Sequence, residues 1–563
     1  YEGENAKFET LWGGLLSSGL RIADGHTLKL DGLYTRSAED ELIRYEGENF
    51  DRGRNVRVTR LKYVERGILV ASGGMEHVLP VMGGVKLNWK TSYTRSERSE
   101  PDRREYVYEL FDRIDSTGAE YEVYELSRRD RTQDLTRFWS YLNEDDRVQT
   151  ADLEVPFFSW NGLEAKARAG VLFENRDRRS RVRRFTYTFP GSAVDYSLSP
   201  EELLTPENIG SGTGKFTLEE LTKPTDSYTA RHDLNAQYAM VDLPLHRRLR
   251  LVTGARVERS DLIVATKNPF AVPDSTGSLP DSAVVAEARL EEQDVLPSAN
   301  LTYQLTRDIN LRTAFSRTLN RPDFRELSRS SYTNFISGGE EIGNANLQVA
   351  KLENYDVRAE YYLGPSELVA VSAFYKDIQE PIDRVRLVGN AGNTAYSYQN
   401  AKDGFLYGTE LEARIRLGRF VDVLDAFSVN TNLTLVESEQ TFVDRGKERT
   451  SPLLRQAPYV ANLVLLFETL DGKTTASALY NVFGRRRSSV GLQETPDEYE
   501  EPRHSVDVTV GRRIGPVRLK VAAENILNED EVYTADKPSL REEFVTDRQE
   551  TGRGFSLSIS YGS

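Results

Sequence analysis

Apolar and polar residues alternate with a period of two along this chain from end to end, and few features restrict folding more. In NYDVRAEYYL, Tyr355, Val357, Ala359, Tyr361 and Leu363 share one face, while Asp356, Arg358, Glu360 and Tyr362 share the other. In TELEARIRL, Leu411, Ala413, Ile415 and Leu417 oppose Glu410, Glu412, Arg414 and Arg416. The last such segment, FSLSISY, sets Phe555, Leu557, Ile559 and Tyr561 against serines. An extended strand between an apolar and an aqueous phase requires this spacing. Helical period has no comparable support. A soluble sheet would hide the apolar face in a core, whereas a membrane barrel turns it to lipid and wets the other.

Strand length and the rhythm of connections choose between these two. Many segments run to roughly 10 residues or more, as a tilted membrane strand needs. Short connections are IADGH (22–26), SWNG (159–162), LPLHRR (243–248), LTRDIN (305–310), LGPSE (363–367), TLDGK (469–473) and IGPV (514–517). They alternate with long polar stretches near 37–53, 98–146, 177–226, 260–285, 319–351, 378–402, 438–456, 487–502 and 529–552. A barrel with short periplasmic turns and long outer loops collects its long loops at one end; a sandwich has no reason to. The fold expected is therefore all-β, a large antiparallel transmembrane β-barrel over residues 1–563. The pattern yields about 19 strands, the first and last both descending toward the short turns. Single-chain bacterial barrels carry even numbers, so this odd count raises the expectation of strands before Tyr1.

Composition removes other classes. The 563 residues are 38% hydrophobic and 29% charged, yet 28 Tyr and 23 Phe are too many aromatics for a disordered chain. A net charge of −15 speaks against a nucleic-acid partner, since phosphate contacts call for basic excess. Cysteine is absent, which excludes disulfides, thiolate metal sites and cysteine nucleophiles. No run of about 18 apolar residues marks a membrane helix, and YEGENAKFET does not read as a signal peptide.

Sites for chemistry are sparse. His26, His77, His232, His246 and His504 show no paired metal spacing, and GSGTG (210–214) lacks the Lys and context of a P-loop. The acidic runs SAEDE (37–41) and TPDEYEEP (495–502) supply carboxylates of the kind calcium prefers, without the spacing of a calcium loop. YTNF (332–335) and YEVYE (121–125) have rings suited to stacking on a sugar, peptide or chelate, or to packing in a girdle or loop core. No catalytic residue, metal or cofactor is expected.

AFSRTLNRPDFRELS (314–328), followed by IGNANLQVAKLENYDVRAEYY (342–362), resembles the C-terminal barrel of TonB-dependent outer-membrane receptors. LWGGLLSSGLRIADGHTLKLDGLYTRSAEDE (11–41), LPSANLTYQLTRDINLRTAFS (296–316), VSAFYKDIQEPI (371–382), NAKDGFLYGTELEARI (400–415) and GRGFSLSISY (552–561) are similar to the same family, in the right order. The resemblance implies a 22-stranded barrel behind an N-terminal plug. It further implies uptake of a scarce or bulky ligand, energised by TonB, in the outer membrane of a Gram-negative-type bacterium. Implied partners are outer-membrane lipid and lipopolysaccharide, the TonB complex through an N-terminal region not in this chain, a surface lipoprotein, and a small-molecule, glycan or peptide ligand. The chain departs from the pattern in having neither plug nor TonB box, about three strands fewer, and an ending, YGS, without a terminal aromatic. An outer-membrane scaffold or a passive channel is the alternative.

The motif itself carries two readings. Leu311, Thr313 and Phe315 are expected to face lipid, Asn310, Arg312 and Ala314 to face inward, and Phe315 to join the upper aromatic girdle. Pro322 should end the ladder, having no N–H to donate. Arg317, Arg321, Pro322, Phe324 and Arg325 then either form a rigid strand exit that orders a long loop, or help shape the ligand vestibule or contact lipopolysaccharide phosphates.

Overall fold

The structure is a computed structural model that describes residues 1–49, 52–129, 134–158, 162–191, 194–270, 284–333, 340–388, 394–492, 495–537 and 542–562. Nineteen strands run between its two ends. They are β1 (Glu2–Ala23), β2 (His26–Asn49), β3 (Arg54–Leu79), β4 (Val85–Ile114), β5 (Leu135–Phe158), β6 (Glu164–Thr188), β7 (Ser227–His246), β8 (Leu249–Lys267), β9 (Val284–Gln304) and β10 (Ile309–Asn320). The rest are β11 (Ala350–Gly364), β12 (Glu367–Gln379), β13 (Asp403–Arg416), β14 (Phe427–Asp444), β15 (Tyr459–Glu468), β16 (Thr474–Phe483), β17 (Arg503–Ile514), β18 (Val517–Glu524) and β19 (Gly554–Tyr561). Each pairs antiparallel with the next in sequence. The sheet totals 22 strands only because Glu120–Leu126, Thr217–Glu220 and Lys447–Ser451 pair onto extensions of β4, β6 and β14. Among the described residues β1 pairs with β2 alone and β19 with β18 alone.

Register turns the alternation into a wall with two solvents. Leu311, Ala359, Val371, Leu411 and Leu433 stand side by side across five strands. Leu311, Val371 and Leu411 in that row are exposed, as is Val357. Among the described residues no protein interior covers this face, which is the exposure that a lipid-facing wall has. Phe315, Tyr355, Tyr375 and Tyr407 form the next row up but one, with ring centroids 5.1 Å and 6.3 Å apart for the first two pairs. Trp12 and Tyr34 meet edge-on at 5.3 Å on the far side, and Phe427 and Phe467 meet at 5.0 Å near the short turns. These are the two aromatic girdles of a membrane band.

Above the upper girdle the strands of one side do not stop. β3 has 26 residues and β4 has 30, so much of the stretches 37–53, 98–146 and 177–226 is strand, where the sequence pattern suggested loop. The reason is solvent. Outside lipid both faces are wet, alternation is no longer required, and the ladder continues on backbone hydrogen bonds and ion pairs. Arg36 pairs with Glu65, Arg231 with Asp233 at 2.7 Å, Arg289 with Asp261 at 3.1 Å and Arg317 with Glu353 at 2.7 Å, forming a charged ring just above the aromatics. Girdle hydroxyls point into it: Tyr355 donates to Glu353 at 2.9 Å and Tyr407 to Glu437 at 2.5 Å.

The inner wall is polar and tightly keyed. Tyr238 on β7 donates to Asp152 on β5 at 2.7 Å, and its ring lies over Gly170 on β6 between them. A Cβ at Gly170 would sit 2.5 Å from that ring. On the other side of the mouth, four loops join into a second sheet, here called the cap. Its hairpins are Ser331–Thr333 with Glu340–Ile342, Ile382–Val388 with Thr394–Asn400, Arg486–Gly491 with Glu498–Glu500, and Glu531–Lys537 with Glu542–Gln549. Only short seams join one hairpin to another. Glu340 and Glu341 meet Ala395 and Tyr396, Val385 and Arg386 meet Val490 and Gly491, and Glu498–Glu500 meet Tyr533–Ala535.

Candidate functional site

Beyond Asn320 the motif turns inward and is fastened to the wall. Pro322 is buried where the ladder ends. Asp323 caps the single helical turn Phe324–Leu327, accepting from Arg325 N at 2.9 Å, while Glu326 accepts from Asp323 N at 2.9 Å. That reciprocal cap aims Phe324 and Leu327 at Tyr228, Leu262, Val264 and Leu290 on the inner faces of β7, β8 and β9. Arg321 donates to Glu258 at 2.8 Å, and Arg178 pairs with Asp323 at 3.4 Å while lying 4.9 Å over the Phe324 ring. The returning chain is pressed just as closely, since a Cβ at Gly343 would fall 2.1 Å from the Ser328 carbonyl.

The five motif residues therefore divide. Arg321, Pro322 and Phe324 fix the loop to the inner wall. Arg317 belongs to the outer charged ring, and Arg325 is exposed. Their anchors Glu258 and Arg178 gave no sequence signal, being single charges on strands full of them.

Against this ledge lies a cavity of about 390 Å³. Glu174 and Arg176 of β6, His232 of β7 and Leu262 of β8 form its wall, and Arg321, Phe324 and Glu326 its edge. Ile382, rooted beyond β12, reaches across to line it too, and Tyr398 packs on the same apolar cluster. Arg176 donates to Glu174 at 2.6 Å and His232 meets Ser260 Oγ at 2.8 Å. The Nε groups of Arg176 and Arg321 are buried without a hydrogen-bond partner among the described residues. Burial pushes the Glu326 carboxyl above the usual carboxylate range. Each guanidinium also has a carboxylate near it, Asp146 at 3.8 Å from Arg176 and Glu258 at 2.8 Å from Arg321, and their N–H groups beside an aromatic ring suit a molecule rich in acceptors.

A second polar centre sits in the cap, where Asp383, Gln440 and Arg487 are all fully buried. Arg487 reaches Asp383 at 3.2 Å, and Gln440 donates to the same carboxylate oxygen. The second oxygen of Asp383, Oε1 of Gln440, and Nε and Nη1 of Arg487 have no hydrogen-bond partner among the described residues. Burial pushes the Asp383 carboxyl up to about 6 in spite of the guanidinium beside it.

The remaining sequence candidates fall elsewhere. His26 and His77, 51 residues apart, are register partners with Nδ1 atoms 2.8 Å apart, a pairing that spacing along the chain conceals. No cluster of three or more metal-type ligands occurs among the described residues. The acids with calcium-like chemistry have cationic or hydrogen-bonding partners: Glu39 holds Lys62 at 2.9 Å and Arg66 at 3.1 Å, Glu500 holds Arg486 at 2.7 Å, and Asp497 holds Arg449 at 2.6 Å. In YEVYE, Tyr124 lies 4.0 Å under Arg57 and donates to Glu46 at 3.1 Å. Residues 334 and 335 of YTNF lie outside the described residues.

The sequence profile of the TonB dependent receptor-like β-barrel family matches residues 24–528. The chain belongs to this family. No curated protein sequence matches it. Among solved structures, the siderophore receptor PiuA from Acinetobacter baumannii is similar at 10% identity and TM-score 0.56, covering 100% of this chain and 82% of its own. The ferric-catecholate import receptor Fiu from E. coli K12 is similar at 13% identity and TM-score 0.52, covering 99% of this chain and 81% of its own. At such identities the likeness is one of fold. TonB-dependent receptors are outer-membrane transporters rather than enzymes, and this barrel has their architecture.

Proposed function

We propose that residues 1–563 form the barrel domain of an outer-membrane receptor that captures a scarce or bulky ligand at its mouth and imports it with energy from TonB. In this reading the long loops lie outside the cell and the short turns in the periplasm. The charged ring then meets lipopolysaccharide headgroups. The observation that carries the reading is the cap. Four loops from separate strand pairs are woven together, and one of them carries Ile382 across to a cavity on the opposite wall. A scaffold or open pore gains nothing from such a roof, whereas a receptor that must hold a ligand before passing it inward does. The cavity's size is that of a small-molecule site, and its guanidinium edges and Phe324 set the chemistry of what binds.

The test uses the absence of native cysteine. Val385 and Val490 are register partners across a seam, so Val385→Cys with Val490→Cys closes the cap by a disulfide. Under nutrient panels where growth needs both this gene and TonB, oxidation should abolish uptake and reductant restore it. Uptake that continues through a locked cap, or growth that never depends on TonB, sinks the reading.

A further inference from the structure

The short-turn end carries a second surface that the receptor reading leaves unused. Most connections there are tight and polar, but the one between β13 and β14 takes the ten residues Leu417–Ala426 and holds two short helical turns, Leu417–Arg419 and Asp422–Leu424. It presents Phe420 at 69% exposure, Val421 at 50% and Val423 at 82%, and the next turn along the rim adds Leu470 at 91%. Four large apolar groups on one rim are more than chance exposure leaves bare.

This turn is rigid and leans outward. Arg419 donates to Glu367 at 2.6 Å and to the Leu363 carbonyl at 2.6 Å, and Arg416 N donates to Glu367 at 3.1 Å. A Cβ at Gly418 would meet Asp425 at 2.5 Å, so the two halves of the turn are pressed together. Glu367 has the parity of Val369, Val371 and Ala373, the lipid-facing residues of β12. Arg419 therefore crosses to the outer side of the barrel to reach it, drawing the turn toward lipid. Leu417 continues the outward row of Ala413 and Ile415, and the girdle pair Phe427–Phe467 stands next to it.

Of the arginines at this end, Arg512 is exposed at the outward parity of Val508 and Val510, whereas Arg416, Arg513 and Arg518 are exposed at inward parity. Asp422, Asp425 and Asp471 are exposed on the same turns, so the apolar groups and not charge distinguish this stretch of rim.

We propose that Phe420, Val421 and Val423 form a fixed wedge seated in the phospholipid leaflet at the short-turn end. Apolar groups held at the depth of the acyl boundary are the means by which interfacial segments grip a membrane. The wedge rests on the barrel spanning a bilayer, and the test separates the two.

The full chain, free of cysteine, would be placed in nanodiscs of phosphatidylethanolamine and phosphatidylglycerol with one bimane-labelled cysteine at a time. Val357→Cys marks the lipid-facing wall, Arg307→Cys a polar turn, and Val423→Cys the wedge. Doxyl-phospholipid should quench positions 357 and 423, and iodide only 307. Adding Phe420→Ser should raise iodide quenching at 423 at least about threefold. Iodide reaching 423 as freely as 307, with 357 still shielded, overturns the wedge and leaves the barrel standing. Iodide reaching 357 as well overturns both.

Discussion

Two buried ionic centres hold the long-loop end of this receptor, one above the tall wall and one in the cap, and they are completed to different degrees. Over β3–β5, Arg52 donates to Glu109 at 2.9 Å, to Ser127 at 2.7 Å and to Asp134 at 2.6 Å, and Arg129 adds a contact to Glu109 at 3.2 Å. None of these side chains is left with an unmatched buried atom. Burial opposes the charge on Arg52, but Asp134 and Glu109 outweigh it and hold the guanidinium above its ordinary range. In the cap, Asp383, Gln440 and Arg487 are as deeply buried yet leave donors and acceptors on both sides unused. A satisfied network fixes one arrangement, whereas a partly satisfied one lies close in energy to others. The centre of the tall wall fixes one arrangement, and the centre of the cap does less to hold its loops together, leaving that to the apolar cluster of Val385, Phe442 and Val490 and to pairs such as Arg449 with Asp497.

Removing one partner should separate the two centres most sharply. Arg52→Met removes the guanidinium that Glu109, Ser127 and Asp134 share and should cost about 3–5 kcal/mol, read as a lowered melting temperature and new protease cutting near 115–129. Acid titration should come next. Asp383 keeps its proton in the folded cap until about pH 6 but releases it near its ordinary 3.8 once the cap unfolds. Folded cap binds more protons in that window, so its stability should fall by about 3 kcal/mol as pH rises through it and return on acidification. Hydrogen exchange of residues 382–388 and 486–491 measures this, and Asp383→Asn should flatten the slope. A smaller effect is expected from replacing the pair together. Asp383→Leu with Arg487→Met should be neutral or stabilise by about 1–2 kcal/mol, since nothing charged is left behind. Least of all, Arg317→Ala on the exposed outer ring should change stability by under about 0.5 kcal/mol. A large loss there would mean the ring is load on the fold rather than on the membrane.

How much of this could be read from residues alone follows the same division. The nineteen strands were legible because lipid on one side and water on the other force Val357 to alternate with Arg358 and Leu411 with Glu412. Above the girdle that pressure ends. RDRRSRVRR at 176–184 has charge on both faces, so its strand is invisible to any test of alternation. Pro322 announced the end of β10, but nothing in RTLNRPDF names Glu258 or Arg178 as the groups that receive it. The cap escaped for a further reason. Its seams join only two or three residues from loops distant in sequence, and such contacts leave no local period.

The ring of ion pairs above the aromatic girdle has a mechanical meaning. Any traction applied from the short-turn side to contents of the lumen also tugs at the cylinder around them. To sink, the cylinder would have to drag Arg36 with Glu65, Arg231 with Asp233 and Arg317 with Glu353 into hydrocarbon, where ionised groups are strongly opposed. In the import proposed above, the ring would act as a flange, seating the protein at one depth so that the pull moves the cargo and not its housing.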